Sequence, residues 1–217
     1  FTHTVYNSCN PAFVEWGRRV GVDNMYLYMG KLGLLSKTGI DLSGEAGTII
    51  HKKENVGAVE LATMSFGQSF QITPVQMLRA TSAIINGGKL VTPHFCMYTS
   101  TSDGSVVNEF AYSSTEAAIE LDTSEKMKTI LEGVVSEGGG TKAYIEGYSI
   151  GGKTATSQKL PRGSGKYISS FIGFAPADNP QVIAMCLIDE PTGVYYGGTI
   201  AAPVIKTLYE NILSYLG

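Results

Sequence analysis

Between Gly147 and Thr154 the chain reads GYSIGGKT, which satisfies G-x-x-x-x-G-K-[ST]. That is the pattern of a loop whose backbone N–H groups cradle phosphates. Further on, Val182 to Glu190 reads VIAMCLIDE, an apolar run ending in two acids that resembles a magnesium-holding strand. Together they would make a nucleotide hydrolase, but the context argues against it. A phosphate loop needs an apolar strand leading in and a helix leading out. The residues before Gly147, GGGTKAYIE, are polar and Gly-rich, and those after Thr154 are broken by Pro161, Gly163 and Gly165. Too little chain follows Lys153 for a doubly wound domain built at ~30 residues per βαβ unit. The P-loop NTPase therefore stands as a remote alternative. A Lys-Thr pair also suits the rim strand of an antiparallel sheet beside a cleft, where an extended peptide adds as one more strand. An ammonium there sits beside a developing oxyanion, a backbone N–H faces the reacting carbonyl, and hydroxyls bind a carboxylate. A small residue lets the ligand backbone approach. KTAT, Lys153 to Thr156, supplies each of these.

Such a strand has to be positioned, and the chain is large enough for one domain of ordinary size. It has 217 residues, 43% hydrophobic and 16% charged, with a net charge of -3. A sizeable core is possible, and the basic footprint of a nucleic-acid binder is missing. No apolar run reaches the ~18–20 residues of a membrane span. Cys9, Cys96 and Cys186 are too few and too scattered for a disulfide framework, and no Cys or His pair has metal-ligand spacing. No cofactor and no metal are expected. His3, His51 and His94 lack partner spacing and read as structural or surface residues. The chain starts at Phe1 without a Met, so it reads as a processed or excised piece.

Asn10-Pro11 reads as a cap with Pro at the first helical position, opening a short helix through Phe13 and Trp16. A second helix starts from Asp23, and a third lies in VGAVELATMSFG from Val56. Lys37 to Gly47, KTGIDLSGEAG, is turn-like. Thr73-Pro74-Val75-Gln76 is a capping box, and Gly87-Gly88 stops its helix. Asp122 followed by Glu125 opens another helix, which Gly138 to Gly140 end. The period then changes to three extended runs near 150–158, 166–175 and 181–189, a meander separated by Pro and Gly clusters. A final helix follows with Ile200, Val204, Leu208, Ile212 and Leu216 at i+4 spacing.

In this order the segments resemble those of a known family. YNSCNPAF resembles its Ser-x-Asn segment, KTGIDLSGEAG a loop that follows, and MSFGQSFQITPVQMLRATSAIINGG a hallmark stretch. GGKTATSQ resembles its Lys-Thr-Gly strand, and YGGTIAAPVIK the start of its last helix. The chain is identified as a member of the class B penicillin-binding proteins, with a flavour of the sporulation or septal type of Gram-positive bacteria. The resemblance implies an α+β fold, a partial penicillin-binding/β-lactamase-like transpeptidase fold with an antiparallel sheet packed against helices. Residues 1–217 would be the C-terminal portion of a single transpeptidase domain, with its first strands and nucleophile helix missing.

The resemblance implies acyl transfer through a serine ester, with the D-Ala-D-Ala end of a peptidoglycan stem as substrate and β-lactams as inhibitors. Ser8 would relay a proton and Asn10 would hydrogen-bond the substrate amide. Lys153 would hold positive charge near that relay. Thr154 and Thr156 would bind the terminal carboxylate, and the Thr156 N–H would form one arm of the oxyanion hole. Two departures stand out. Ala155 replaces the motif's Gly, where the ligand backbone should pass. No Ser in the chain has a Lys three positions later, so the Ser-x-x-Lys nucleophile is expected upstream, and the chain alone should be inactive. Lys37-Thr38-Gly39 is a literal Lys-Thr-Gly but falls in the family's loop rather than its strand.

A non-catalytic scaffold module and a D,D-carboxypeptidase or β-lactamase of the same fold are the alternatives. The family implies the extracytoplasmic face of a bacterial membrane, anchored by a segment not in this chain. With a partner strand missing, the apolar edge 181–189 should be bare and a route to self-association.

Overall fold

The computed structural model describes residues 1–216, with side chains at all of these except 116 and 117. The elements run α1 (Thr2–Asn7), α2 (Asn10–Lys31), β1 (Ile49–Ile50), α3 (Ala58–Ser65), β2 (Phe70–Gln71), α4 (Pro74–Ile85) and β3 (Lys89–Val91). Then come β4 (Tyr98–Ser100), β5 (Val106–Glu109), β6 (Ser114–Ala117), α5 (Leu121–Ser136), β7 (Gly151–Gln158), β8 (Tyr167–Ala175) and β9 (Val182–Asp189). Helices α6 (Gly197–Ile200) and α7 (Ala202–Leu216) close the chain.

The meander is the frame. β7, β8 and β9 form one antiparallel sheet in that order, with Lys153 opposite Ile172 and Phe171 opposite Cys186. Helices cover both faces because the strands alternate apolar residues up and down. On one face Phe171 and Ala175 pack with Ala201, Ala202, Ile205, Tyr209 and Leu213. On the other, Phe174 packs with Val5, Ile85, Leu131 and Val134 from α1, α4 and α5. Phe171 and Phe174 are three residues apart and so point to opposite faces. The adjoining strand makes room for both. A Cβ on Gly152 would lie 2.6 Å from the Phe171 ring, and one on Gly151 would collide with the Phe174 ring. Of the two glycines that the phosphate-loop pattern requires, Gly152 is a ring seat and Gly147 sits in a turn at a φ of 84° with open space at its Cβ position, and β7 continues as a strand through Thr154 to Gln158 with no helix after it. The nucleotide reading fails on both counts.

Several local expectations are met. The Thr73 cap is complete, with Gln76 N–H donating to Thr73 Oγ1 at 3.1 Å and Thr73 N–H to Gln76 Oε1 at 2.8 Å. The two helices expected within residues 10–31 are present as the two halves of α2, broken at Gly21, whose φ of 76° and ψ of 165° are not helical. Other features differ. Cys9, not Asn10, is the N-cap of α2 and makes no side-chain cap bond; Asn10 is already helical. Likewise Glu120 precedes α5, and Asp122 sits in its first turn. The last helix buries Ala202, Ile205, Tyr209 and Leu213 rather than the expected ladder, leaving Val204, Leu208 and Leu216 exposed. Both sets have helical spacing, i+4 in the expected ladder and i+3 then i+4 in the buried one, so periodicity could not choose between them. The buried one includes Tyr209, whose hydroxyl donates to Gly173 O at 2.6 Å inside the core. The small pairs β3–β6 and β4–β5 were not foreseen. They are two- to four-residue contacts too short to carry a periodic signal.

Among the described residues the outer edge of β9 pairs with no strand, and no helix is long and apolar enough to cross a membrane.

Candidate active site

β7 is an edge strand, so one row of its backbone groups is free. Its central residues line a cleft of about 480 Å³, where Thr154, Ala155 and Thr156 face Ser8 and Asn10. Far apart in sequence, they meet because α1 packs on α5 and α5 packs on β7.

Ser8 caps α1 in the left-handed region, with φ 52° and ψ 47°. A non-glycine residue there is strained by about 1 kcal/mol. The turn is held by Ser8 N–H to Val5 O at 3.3 Å and Cys9 N–H to Thr4 O at 3.1 Å. It aims the Ser8 side chain at β7, where Lys153 Nζ donates to Ser8 Oγ at 3.0 Å and to Thr154 O at 3.0 Å. Burial disfavours the ammonium and pushes the Lys153 pKa down to about 8. At neutral pH the group is cationic and close to giving up that charge.

Thr156 Oγ1 accepts from Gly197 N–H at 3.0 Å, which ties α6 to the rim strand and leaves the hydroxyl hydrogen free to donate. α6 must come this close without side chains. A Cβ on Gly197 would strike the carbonyl oxygens of Ala155 and Ser170, and one on Gly198 would crowd Gly139 O and Thr154 Cγ2. Ala155 lies opposite Ser170 in the regular ladder and outside the positive-φ residues. Its methyl introduces no backbone strain.

The six residues singled out in the sequence thus lie together. Tyr196, Gly197, Gly198 and Thr199 of the α6 turn, and Gly139, Thr141 and Lys142 after α5, complete the lining. Sequence reasoning had assigned these no role in the site; their signal is the pair of Gly-Gly steps that permits two loops to touch β7. A second groove of about 260 Å³, between Phe13, Trp16, Val20 and Tyr28 of α2 and Ser65 of α3, is almost wholly apolar and offers no reacting group.

The other Lys-Thr-Gly behaves differently. Thr38 is buried, and its N–H and hydroxyl both donate to Glu45 Oε1 at 2.7 Å, while Gly39 N–H donates to Oε2 at 3.3 Å. Burial alone would raise the Glu45 pKa; the Thr38 and Gly39 hydrogen bonds and the Lys37 charge outweigh it and hold the carboxyl below its ordinary value. These residues close a loop.

A family model described as the penicillin binding protein transpeptidase domain matches residues 1–210. Stage V sporulation protein D of Bacillus subtilis (strain 168) is 41% identical over all of this chain and 34% of that protein. The probable peptidoglycan D,D-transpeptidase PenA of Neisseria meningitidis is 31% identical over 97% of this chain and 35% of that protein. The chain spans about a third of the length of these relatives. Penicillin binding protein 3 of Mycobacterium tuberculosis, solved in complex with aztreonam, superposes with a TM-score of 0.89 at 28% identity, covering 99% of this chain and 51% of that one.

Proposed function

The chain belongs to the penicillin-binding protein transpeptidase domain family, and from that premise we propose that residues 1–217 are the C-terminal portion of a peptidoglycan D,D-transpeptidase domain. The observation that carries the reading is the contact of Lys153 Nζ with Ser8 Oγ at 3.0 Å across the cleft, between residues 145 positions apart. Their types suit proton relay beside a carbonyl under attack.

In this reading a serine of a Ser-x-x-Lys motif, carried by a longer polypeptide, attacks the carbonyl between two terminal D-Ala residues. The C–N bond breaks, D-Ala leaves, and the serine proton reaches the leaving nitrogen through Ser8, which Lys153 holds in place. Asn10 binds the substrate amide. Thr154 and Thr156 hold the terminal carboxylate, the Thr156 N–H faces the developing oxyanion, and Ala155 lies under the ligand backbone. An amine from a neighbouring stem then displaces the ester and frees the serine. A β-lactam enters the same path, and its ring opens to a stable ester. The sporulation protein among the relatives favours a role in sporulation, at the extracytoplasmic face of the cell membrane to which a segment outside this chain would anchor the protein.

Fluorescent penicillin added to the full-length protein tests this. A covalent adduct is expected on the upstream serine, and intact-mass spectrometry of residues 1–217 alone should show none. An unlabelled full-length protein would favour the non-catalytic scaffold. An adduct on any serine of this chain would overturn the site.

We also propose that the isolated chain self-associates through the free edge of β9. The row Val182 to Asp189 has no charge before Asp189 and no Pro, and such an edge templates another strand. Light scattering showing a monomer at every concentration would refute it.

A further inference from the structure

The proposed carboxylate subsite has an electrostatic deficit. Thr154 and Thr156 offer only neutral hydroxyls. The nearby cation, Lys153, is directed elsewhere: its ammonium donates to Ser8 Oγ and Thr154 O, and burial has already brought its pKa down to about 8. A ligand carboxylate leaving water for a partly enclosed cleft loses solvation that neutral donors only partly replace.

Among the described residues that line the cleft, Lys142 is the one charged side chain. It lies on the single 3₁₀ turn Thr141–Ala143 that follows α5. The turn packs against α7, α5 and α6, and Gly139, just before it, runs beside the rim strand and α6: a Cβ on Gly139 would lie 3.8 Å from Thr154 Oγ1, and one on Gly198 would strike Gly139 O. Lys142 is exposed, and its ammonium has no hydrogen-bond or ion-pair partner among the described residues. Most of the chain's other lysines with structural work are paired with acids, as Lys159 is with Asp189 at 2.9 Å and Glu190 at 2.8 Å. Among the described residues, no acidic side chain lines the cleft to neutralise Lys142.

Building on the transpeptidase reading, we infer that Lys142 is a specificity-determining residue that supplies the positive charge balancing the ligand's terminal carboxylate, while Thr154 and Thr156 supply the directional hydrogen bonds. The division of labour follows from geometry. Short hydroxyls on a strand fix direction, whereas a flexible ammonium at the cleft wall contributes mainly field and is screened by salt. Lys142 takes no part in bond making.

The test measures acylation of the full-length protein by benzylpenicillin and by its methyl ester, which lacks the negative charge. Lys142→Gln is expected to lower the second-order acylation rate for the acid by about tenfold at low salt, with less than a twofold change for the ester. Lys142→Arg should restore most of the loss. Raising ionic strength should slow wild type with the acid and leave the Gln variant nearly unaffected. Equal loss for acid and ester, or no loss for the acid, overturns the inference while leaving the transpeptidase reading intact. A wild-type protein that no β-lactam acylates overturns both. A thermal melt of Lys142→Gln matching wild type is expected, since no partner is left unpaired.

Discussion

Residues 37–39 read Lys-Thr-Gly and residues 153–155 read Lys-Thr-Ala, and the first is the better match to the motif. The structure gives them opposite work. At 37–39 the threonine is buried and its donors are consumed by Glu45, so the segment is a closed loop with nothing left to offer a ligand. At 153–156 the residues lie on an edge strand whose outer row of backbone groups is free. Lys153 reaches a serine from the other end of the chain, and the threonines face a cleft. The difference teaches that three letters specify chemistry only when the backbone around them leaves donors unsatisfied. A glycine in the third place is helpful there but does not decide the matter.

The comparison breaks hardest at Glu45. Glu45→Ala leaves the buried Thr38 hydroxyl and N–H without an acceptor, which costs about 1–3 kcal/mol. Urea denaturation of the full-length protein should show that loss, while acylation per folded molecule stays near wild type. A variant with unchanged stability would mean the loop does not depend on this carboxylate.

The reciprocal experiment is Lys153→Ala against Lys37→Ala. The first should slow β-lactam acylation at least tenfold, about 1.4 kcal/mol; the second should leave it nearly unchanged. Equal effects would erase the distinction between strand and loop.

A pH profile sharpens the same point. Lys153 is charged below about pH 8 and neutral above it, so acylation should decline as pH rises through that value. Lys153→Arg should move the decline to higher pH, because the guanidinium keeps its proton. Linkage runs the other way for stability. The folded pKa is depressed from 10.5 to about 8, so the unfolded chain binds more protons between those values. Stability therefore rises with pH across that window. An alkaline limb that persists unchanged in Lys153→Ala would belong to another group.

The smallest expected effect is at the letter that departs from the motif. Ala155→Gly should change acylation by less than about threefold. Its backbone is regular strand, and one methylene-sized change in a pocket is worth only ~1–3 kcal/mol even when fully felt. A large gain would show that the methyl obstructs the ligand.

Much of the frame was readable because it rests on local rules. The capping box at Thr73, the Gly stops and the strand meander follow from short-range patterns, whereas the six site residues were singled out mainly by the family resemblance. What failed did so for one reason: several local solutions were equally good. The two ladders of α7 differ only in which meets the sheet, and Tyr209 rather than Leu208 finds both a core and an acceptor in Gly173. Asn10 was expected to cap α2, but the helix begins one residue earlier, directly after the left-handed turn at Ser8, so that Cys9 takes the cap position. Lys142 and the α6 glycines belong to the cleft only because two loops pack on β7, a contact that no periodicity encodes. Composition and spacing therefore determined by themselves the longer helices, the three-strand meander and the absence of a phosphate loop, and the resemblance added the acyl chemistry. The resemblance already set residues 37–39 in a loop; only the tertiary structure supplied the physical reason, because the Thr38 donors are used up by Glu45 seven residues on, whereas Lys153 meets Ser8 across a cleft that distant parts of the chain build.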